Sequence, residues 1–490
     1  MRNLLLTTLL LSSIYANAQE DKTRTEETVT QPIIKSHIGF LASDALRGRD
    51  TGSPELDIAA EYLKSRFVQY GVLIVEGMDS YFQEVFLKTT QSPSVGAIKI
   101  GSDEFMINDD FFIMSEGESL FDVPIAFVEY GTEEDLNATN VEGKLVFALC
   151  GDGASQNPQE WFSMSSDKRK KVKEKGGLGL VELYNSPQVP WNLLLRFFAG
   201  EKTGIDEVND SSQFIHVWMK RSLDDVSSIQ KSKLKASIVV SENETKKFSS
   251  KNVVGFVEGT DPILKNEVVV YSAHYDHVGV GRADAKGDTI YNGARDNAVG
   301  TVTVLSAAEN IAKYPTRRSA LFVLFTGEEK GLLGSQYFIE NSPVEHSKMV
   351  YCFNSDNGGY NDTSIATIIG LGRTTAGNII SESCKAFGLL ATDDPAPEQG
   401  LFDRSDNVRF AAKGIPAPTF SLGFTAFDDE IGKYYHQPGD EPETLDYDYL
   451  EKFFKAYVFS CRVIANADKT PFWVEGDKYY EVGVELYNNK

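Results

Sequence analysis

Short apolar runs in the C-terminal half of the chain alternate with segments of helical periodicity. The runs EVVVYSA (267–273), ALFVLFTG (320–327) and MVYCFNS (349–355) are nearly continuous, as is typical of strands that are covered on both faces. The segment 297–314, which separates the first two runs, carries apolar residues at helical spacing. This alternation predicts an α/β fold, with an open mixed central sheet and helices on both faces.

The pattern divides the rest of the chain. Residues 19–91 are predicted to be an N-terminal helical part of the same domain, in which Gly71 ends the second helix, although the polar stretch 20–31 is expected to be mobile. Residues 92–250 change to short β-like runs separated by turn residues, which indicates a β-rich insert. Residues 251–470 form the predicted sheet domain and 471–490 a C-terminal tail.

A basic stretch, KRKKVKEK (168–175), stands out within the predicted insert. Charges at such density are expected on a solvated helix face.

Composition and charge exclude several classes of protein. The chain has 71 acidic and 48 basic residues, for a net charge of −23, whereas a nucleic-acid or anionic-membrane partner requires a basic face. No run in the mature chain reaches the roughly 18 apolar residues of a membrane span. Residues 1–18 combine Arg2, a short apolar core and Ala16-Asn17-Ala18, which predicts a signal peptide cleaved near Ala18 and export to a periplasm or the exterior.

The four cysteines are far apart in sequence and include no C-x-x-C pair. This spacing excludes a thiolate zinc site. An exported protein permits a disulfide, but buried free thiols fit the same sequence equally well.

Acidic and imidazole side chains occur where the predicted strands end. The candidates are His274, Asp296, Glu328, Glu329, Asp356 and His436. The carboxyl ends of strands in an open α/β sheet form a ligand-binding edge. Two imidazoles and several carboxylates suit two divalent ions, with zinc the first choice. Two ions need a bridging group, which a carboxylate can supply with its two oxygens, and hydrolysis requires a further carboxylate that accepts the proton of water.

Six segments resemble the co-catalytic dizinc exopeptidases, a family that includes bacterial leucine-type aminopeptidases, glutamate carboxypeptidase and the transferrin receptor group. They are AHYDHVG, NGARDNAVG, FTGEEKGLLGS, NSDNGG, FDRSDNVRFAAKGIPAP and YYHQPGD, in the family's order. The resemblance implies the zinc exopeptidase fold. Residues 92–250 resemble, more weakly, the protease-associated domain inserted in many members.

The resemblance also implies roles for individual residues. Asp296 would bridge two metal ions; His274 and Asp356 would bind one of them, and Glu329 and His436 the other. Glu328 would be the general base.

Four further residues carry implied roles. Asp276 would fix the tautomer of an imidazole ligand. Tyr435 would donate to the oxyanion. Arg404, through its main-chain carbonyl, and Asp406 belong to the segment that lines the pocket for the substrate's free amine.

The implied activity is removal of N-terminal residues from peptides. Alternatives are a carboxypeptidase or dipeptidase of the same fold, a glutaminyl cyclase, and a binding ectodomain without catalysis. Arg295 replaces an acidic residue common in the family and Asn407 replaces a histidine; neither position is an implied metal ligand.

Overall fold

The computed structural model describes residues 19–115, 117–155, 158–186, 189–198, 200–206, 214–221, 234–241 and 244–488. The signal-peptide prediction, residues 1–18, lies outside them. The chain forms two compact units. The first unit consists of the described residues up to Phe86 together with Phe248 onward, and the second of Leu87–Lys247.

The strands are, in chain order, β1 (Phe82–Gln91), β2 (Gly96–Ile100), β3 (Asp103–Met106), β4 (Phe111–Ser115), β5 (Leu120–Phe127), β6 (Leu145–Leu149), β7 (Gly179–Tyr184), β8 (Glu201–Ile205), β9 (Ile215–Lys220), β10 (Lys235–Val240), β11 (Thr245–Val257), β12 (Val268–His274), β13 (Ser319–Phe325), β14 (Met349–Ser355), β15 (Ile365–Ile369), β16 (Leu390–Thr392) and β17 (Thr419–Leu422).

The helices are α1 (19–28), α2 (Gln31–Leu41), α3 (Pro54–Tyr70), α4 (Glu133–Ala138), α5 (Pro158–Glu174), α6 (Trp191–Phe198), α7 (Gly300–Lys313), α8 (Leu333–Glu340), α9 (Gly377–Lys385), α10 (Asn407–Ala411), α11 (Asp429–Gly432), α12 (Tyr447–Asn466) and α13 (Tyr480–Asn488). Within the described residues, no helix is both long and apolar enough to cross a bilayer.

The sheet of the first unit has the strand order β16-β15-β17-β14-β12-β13-β11-β1. At its centre β12 pairs in parallel with both β13 and β14, and every residue of these three strands is buried. Burial on both faces explains the nearly continuous apolar runs in the sequence. The predicted α/β fold with an open mixed sheet is confirmed, since β11 and β15 pair antiparallel with their neighbours β13 and β17.

Local signals explain where the N-terminal helices begin and end. The Ser53 hydroxyl accepts the main-chain N–H of Leu56 at 3.1 Å and caps α3, and Gly71, at φ +79°, ends that helix as predicted. The expectation that residues 20–31 are mobile is wrong. Residues 19–28 form α1, and Asp21 accepts a 2.7 Å hydrogen bond from the buried guanidinium of Arg462.

The second unit contains a sheet with the order β3-β2-β10-β5-β6-β7-β9-β4. Its central strands β5, β6, β7 and β9 are parallel. The separate strand β8 pairs with residues 87–91 of β1.

One charged residue of the basic stretch departs from its prediction. Lys168 on α5 is only 4% exposed, and its Nζ lies 2.6 Å from the buried carboxylate of Glu182 on β7. The neighbouring Lys170 is exposed, as predicted for a solvated helix face, whereas the prediction is wrong for Lys168. All four cysteines are free and buried.

Candidate metal centre

The central parallel strands deliver the predicted residues to one edge of the sheet. His274 is the last residue of β12, and Asp356 directly follows β14. Glu328 and Glu329 follow β13 after two intervening residues. Because parallel strands end at the same edge, these side chains meet there.

Asp296 lies between two groups of donors. It lies at a kink, with non-helical φ −110° and ψ 94°, in the segment Ala294–Val299 that leads into α7. Its Oδ1 is 3.4 Å from His274 Nε2, and its Oδ2 is 3.1 Å from His436 Nε2. Each oxygen of the carboxylate thus faces a different imidazole.

The first residue of α7, Gly300, has no room for a side chain. A Cβ at Gly300 would lie 2.3 Å from Asn297 Oδ1 and 2.4 Å from the Ser355 carbonyl. The Asn297 amide donates to that carbonyl at 2.9 Å. This close approach ties the Asp296 segment to the end of β14.

The distances between donor atoms fit a bound divalent ion. Besides the two Asp296 contacts, His274 Nε2 lies 3.3 Å from Asp356 Oδ1, and His436 Nε2 lies 3.2 Å from Glu329 Oε2. Zinc–ligand bonds of about 2.0–2.1 Å in a tetrahedron put neighbouring ligand atoms roughly 3.3 Å apart. The donors are imidazole nitrogens and carboxylate oxygens, which zinc accepts. The predicted ligands therefore have both the spacing and the chemistry to hold such ions.

The resemblance implies that Asp276 fixes the tautomer of an imidazole ligand, and here its main-chain carbonyl, not its carboxylate, contacts His274. His274 Nδ1 is 3.2 Å from the main-chain carbonyl of Asp276 but 3.7 Å from its carboxylate, too far for a hydrogen bond. With Nδ1–H donating to that carbonyl, Nε2 is left facing the carboxylates. The Asp276 carboxylate instead accepts the main-chain N–H of Glu328 at 3.2 Å and the Thr51 hydroxyl at 2.8 Å. It thereby fixes the backbone that carries Glu328.

A buried ion pair joins the Asp296 segment to the loop that carries His436. Arg295 Nη1 lies 2.9 Å from Asp440 Oδ1, and the Arg295 guanidinium stacks 3.7 Å from the centre of the Tyr434 ring. The same carboxylate accepts the main-chain N–H groups of Arg295 and Asp296. Arg295 is thereby held against Asp440 and braces the loop in which His436 adopts φ +53°.

The electrostatics of the cluster reflect its excess of carboxylates. Burial opposes ionisation of Glu329, as does the nearby Asp296, but hydrogen bonds to His277 and His436 outweigh both and lower its pKa to about 2. Burial disfavours the charged form of His436, yet Asp296 and Glu329 raise its pKa to about 10. Protons and metal ions thus compete for the same imidazole nitrogens.

Glu328 has the opposite shift. Burial raises its pKa well above the ordinary value of 4.5, and the nearby Asp356, Asp406 and Glu329 raise it further, against the charge of His274. Burial is also the main reason that the pKa of Asp406 rises to about 7. A cation bound nearby would oppose both rises.

A cleft opens over the donor cluster, the metal-binding type side chains of His274, Asp296, Glu328, Glu329, Asp356 and His436. Its apolar wall consists of Ile369, Leu401, Phe424, Phe427 and Ile431. The exposed Arg404 also lines the cleft.

Tyr435 stands beside the donors in this cleft. Its ring stacks on that of His436 with centroids 4.2 Å apart. Burial is the main reason that its pKa is raised above the ordinary value, so that its hydroxyl keeps its proton.

Sequence reasoning missed two residues of this region. His277 is fully buried, with Nδ1 2.7 Å from Glu329 Oε1; the only sequence signal was a second histidine in AHYDHVG. Arg49, also fully buried, donates to main-chain carbonyls of Tyr275, Asn292 and Gly293 at 2.7–3.0 Å and to that of Leu41. It ties together the loops that precede and follow the donors, which no local pattern reveals.

Comparison with known proteins gives one family and several relatives. The family model for Peptidase family M28 matches residues 252–459. Aminopeptidase YwaD of Bacillus subtilis is 25% identical over 333 residues, covering 67% of this chain and 64% of the relative. A probable leucine aminopeptidase of Trichophyton verrucosum is 32% identical over 237 residues, covering 47% and 59%. The chain thus matches less than two thirds of the length of either relative.

The fold itself is shared with a solved structure. The aminopeptidase from Aneurinibacillus sp. strain AM-1 aligns with a TM-score of 0.58 at 21% identity, covering 92% of this chain and 97% of the other. At this identity the match establishes the fold.

Proposed function

We propose that this chain, whose residues 252–459 match the model of Peptidase family M28, is an exported aminopeptidase with two divalent metal ions, zinc being the first choice, that hydrolyses the N-terminal bond of peptides. The observation that carries the proposal is the position of Asp296, whose two oxygens face different imidazoles at 3.4 and 3.1 Å. A carboxylate so placed can serve two ions at once.

The ligands divide around this bridge. His274 and Asp356 would hold one ion together with Asp296, and Glu329 and His436 the other. Two such ions, when bound, lower the pKa of the attacking water and stabilise negative charge on the scissile carbonyl.

Glu328 is assigned as the base that moves the proton. Among the described residues it makes no ion pair within 4.0 Å, whereas Glu329 pairs with two imidazoles. A general base works best when its pKa approaches the working pH, and the burial that raises the pKa of Glu328 acts against the lowering of that pKa by bound cations. Glu328 accepts one proton from water as the oxygen attacks, and then transfers that proton to the leaving amine when the C–N bond breaks.

The cleft also accounts for an N-terminal substrate. A protonated α-amine is attracted by the carboxylates of Glu328 and Asp356 and by the main-chain carbonyl of Arg404. The buried Asp406, when ionised, adds negative charge near Glu328. The first side chain would lie against the apolar wall, and the Tyr435 hydroxyl would donate to the developing oxyanion.

The arginines bear on the carboxypeptidase or dipeptidase alternative. Such an enzyme needs cationic side chains to bind a terminal carboxylate. Arg295 is 2% exposed and paired with Asp440, so it is not available for this purpose. Arg404 is an exposed cation at the cleft and could bind a terminal carboxylate. A dipeptide is therefore included in the substrate test.

The test compares free and blocked amines on one preparation. Leucyl-, alanyl- and arginyl-anilides, their N-acetylated counterparts and a free dipeptide are assayed with and without a chelator, and metal content is measured on the same sample. We expect chelator-sensitive release from the free-amine anilides, fastest for leucyl. Cleavage confined to blocked substrates or to the dipeptide would contradict the aminopeptidase assignment.

Two further parts of the proposal concern the rest of the chain. Export requires cleavage near Ala18, which mass spectrometry of secreted protein tests by finding a mature chain that begins at Gln19. The β-rich second unit would be a protease-associated insert. Superposition of an experimental structure of this unit on such domains tests that assignment, and a different strand order would contradict it.

A further inference from the structure

His277 has a ring nitrogen within 4.8 Å of ligand atoms of Asp296, Glu329 and His436, but its closest contact is shorter than the spacing expected for two ligands of one ion. Its Nδ1 lies 2.7 Å from Glu329 Oε1 and 4.0 Å from Asp296 Oδ2. The contacts among the assigned ligands are all 3.1–3.4 Å, as expected around a shared ion. A separation of 2.7 Å is that of a charge-assisted hydrogen bond. His277 is therefore a donor to Glu329, with the proton on Nδ1 because a carboxylate accepts.

The imidazole of His277 is held rigidly. The residue is fully buried, and its main-chain N–H donates to the carbonyl of Arg49 at 3.1 Å. A Cβ at Gly293, which has φ +59°, would lie 2.6 Å from two ring carbons. Within the described part of the chain, Nε2 has no hydrogen-bond partner. The bond to Glu329 is thus the only polar contact of this side chain that orients it there.

The two carboxylate oxygens of Glu329 contact different histidines. Oε1 faces His277, and Oε2 faces His436 at 3.2 Å. The hydrogen bond from His277 fixes the terminal torsion of Glu329, which is otherwise broad. The other oxygen, Oε2, therefore faces the ion site. Among the described side chains, the carboxylate of Asp356, in the other half of the centre, forms an ion pair only with His274.

We propose that His277 is a positioning residue that orients Glu329 and makes the half of the centre formed by Asp296, Glu329 and His436 the tighter metal site. The inference rests on the proposed function, because it assumes that the centre binds two ions. It assigns to His277 a role through Glu329 and no contact with substrate.

The test measures metal binding and not turnover. Metal-free wild type, His277→Leu and His277→Asn are titrated with Zn²⁺ in competition with a chromophoric chelator, so that two binding events are resolved. Asn carries an amide nitrogen near the position of Nδ1 and can keep the hydrogen bond, whereas Leu cannot. Orienting partners of metal ligands typically contribute about 10–100-fold to affinity. We expect the tighter event to weaken by that factor in His277→Leu, to recover largely in His277→Asn, and the weaker event to stay unchanged.

Controls separate this role from folding and from ligation. His346, a half-buried histidine bonded to the carbonyl of Ile339, is replaced by Leu as a matched control, and the denaturation midpoint of each metal-free variant is recorded. Unchanged affinities in His277→Leu, equal weakening of both events, or complete loss of one event in both variants would each overturn the inference. Wild type that binds no ion would instead contradict the proposed function, so the two failures are distinguishable.

Discussion

Each of the two units buries a cluster of charged groups, and the clusters are balanced in different ways. In the second unit the Glu182 carboxylate accepts from Lys168 Nζ at 2.6 Å, from His216 Nε2 at 2.8 Å and from Trp218 Nε1 at 3.0 Å, and also from the Ser165 hydroxyl. Lys168 also donates to the Leu149 carbonyl. One carboxylate thus meets a resident cation and several donors.

Among the described residues, no lysine or arginine side chain pairs within 4.0 Å with the carboxylates of the corresponding cluster in the first unit. Its carboxylates are Asp296, Glu328, Glu329, Asp356 and Asp406, and its imidazoles are His274, His277 and His436. In the metal-free protein, protonated imidazoles offset part of this negative charge, since the pKa of His436 is raised to about 10. An imidazole that binds metal must be neutral, so metal binding replaces those protons with the charge of the ions. The cluster of the second unit is neutralised by a permanent cation of its own chain and is structural, whereas the cluster of the first unit is balanced by exchangeable protons or by ions from outside and can therefore serve as a binding site.

The largest expected effect comes from removing the bridge. Asp296→Ala should abolish stoichiometric metal binding in both halves, because each half loses a ligand, and hydrolysis should fall to background. Elemental analysis after dialysis measures this, with the exposed Asp429→Ala as control. Full occupancy in Asp296→Ala would remove Asp296 from the bridging role.

Replacing the base should separate chemistry from binding. Glu328→Gln keeps the size of the side chain but cannot accept a proton, so kcat should fall by about 10²–10⁴-fold while metal content stays at the wild-type level. Glu340→Gln, on the exposed side of α8, is the matched control. A near wild-type kcat in Glu328→Gln would contradict the assignment of Glu328 as the general base.

The cluster of the second unit should affect stability and leave metal binding intact. Lys168→Met leaves Glu182 buried without its cation, which typically costs about 3–5 kcal/mol. Three of the four tryptophans, Trp161, Trp191 and Trp218, lie in this unit, so fluorescence during urea unfolding reports on it. The exposed Lys170→Met should change the unfolding free energy little. If both variants behaved alike, Lys168 would have no special role.

A smaller effect should appear as a pH dependence. Burial opposes the charge of Glu182, but Lys168 and His216 outweigh it and lower the pKa from 4.5 to about 2. A lowered folded pKa stabilises above pH 4.5, and that stability is lost as pH falls toward 2. Between pH 5 and 3 the second unit should lose about 2 kcal/mol through this group, and Glu182→Gln should lack that loss. Parallel pH profiles for wild type and Glu182→Gln would contradict it.

The sequence predicted most of the donor cluster because its residues sit at strand ends, where local pattern and global topology agree. His274 and Asp356 could be placed at the edge of the sheet from the apolar runs alone. The bridging role of Asp296 came from the family resemblance, since nothing in its own segment specifies which way its oxygens face.

Other features depend on contacts that local sequence does not encode. Lys168 reads as part of a solvated face, although the acid inside the apolar strand GLVELY was a signal that a cation might be buried against it. Helix α1 was expected to be mobile because its sequence is polar; it is ordered by Arg462, which lies 441 residues away along the chain.

Arg49 has a consequence for when the protein can become active. Its guanidinium holds carbonyls 226 to 244 residues later in the chain, and the whole second unit is synthesised in between. Contacts of such separation form late. All five assigned metal ligands also lie after the second unit, between His274 and His436. A nascent chain therefore carries none of them until residue 274 has been made, and the hydrolytic site can assemble only after His436 has joined the chain.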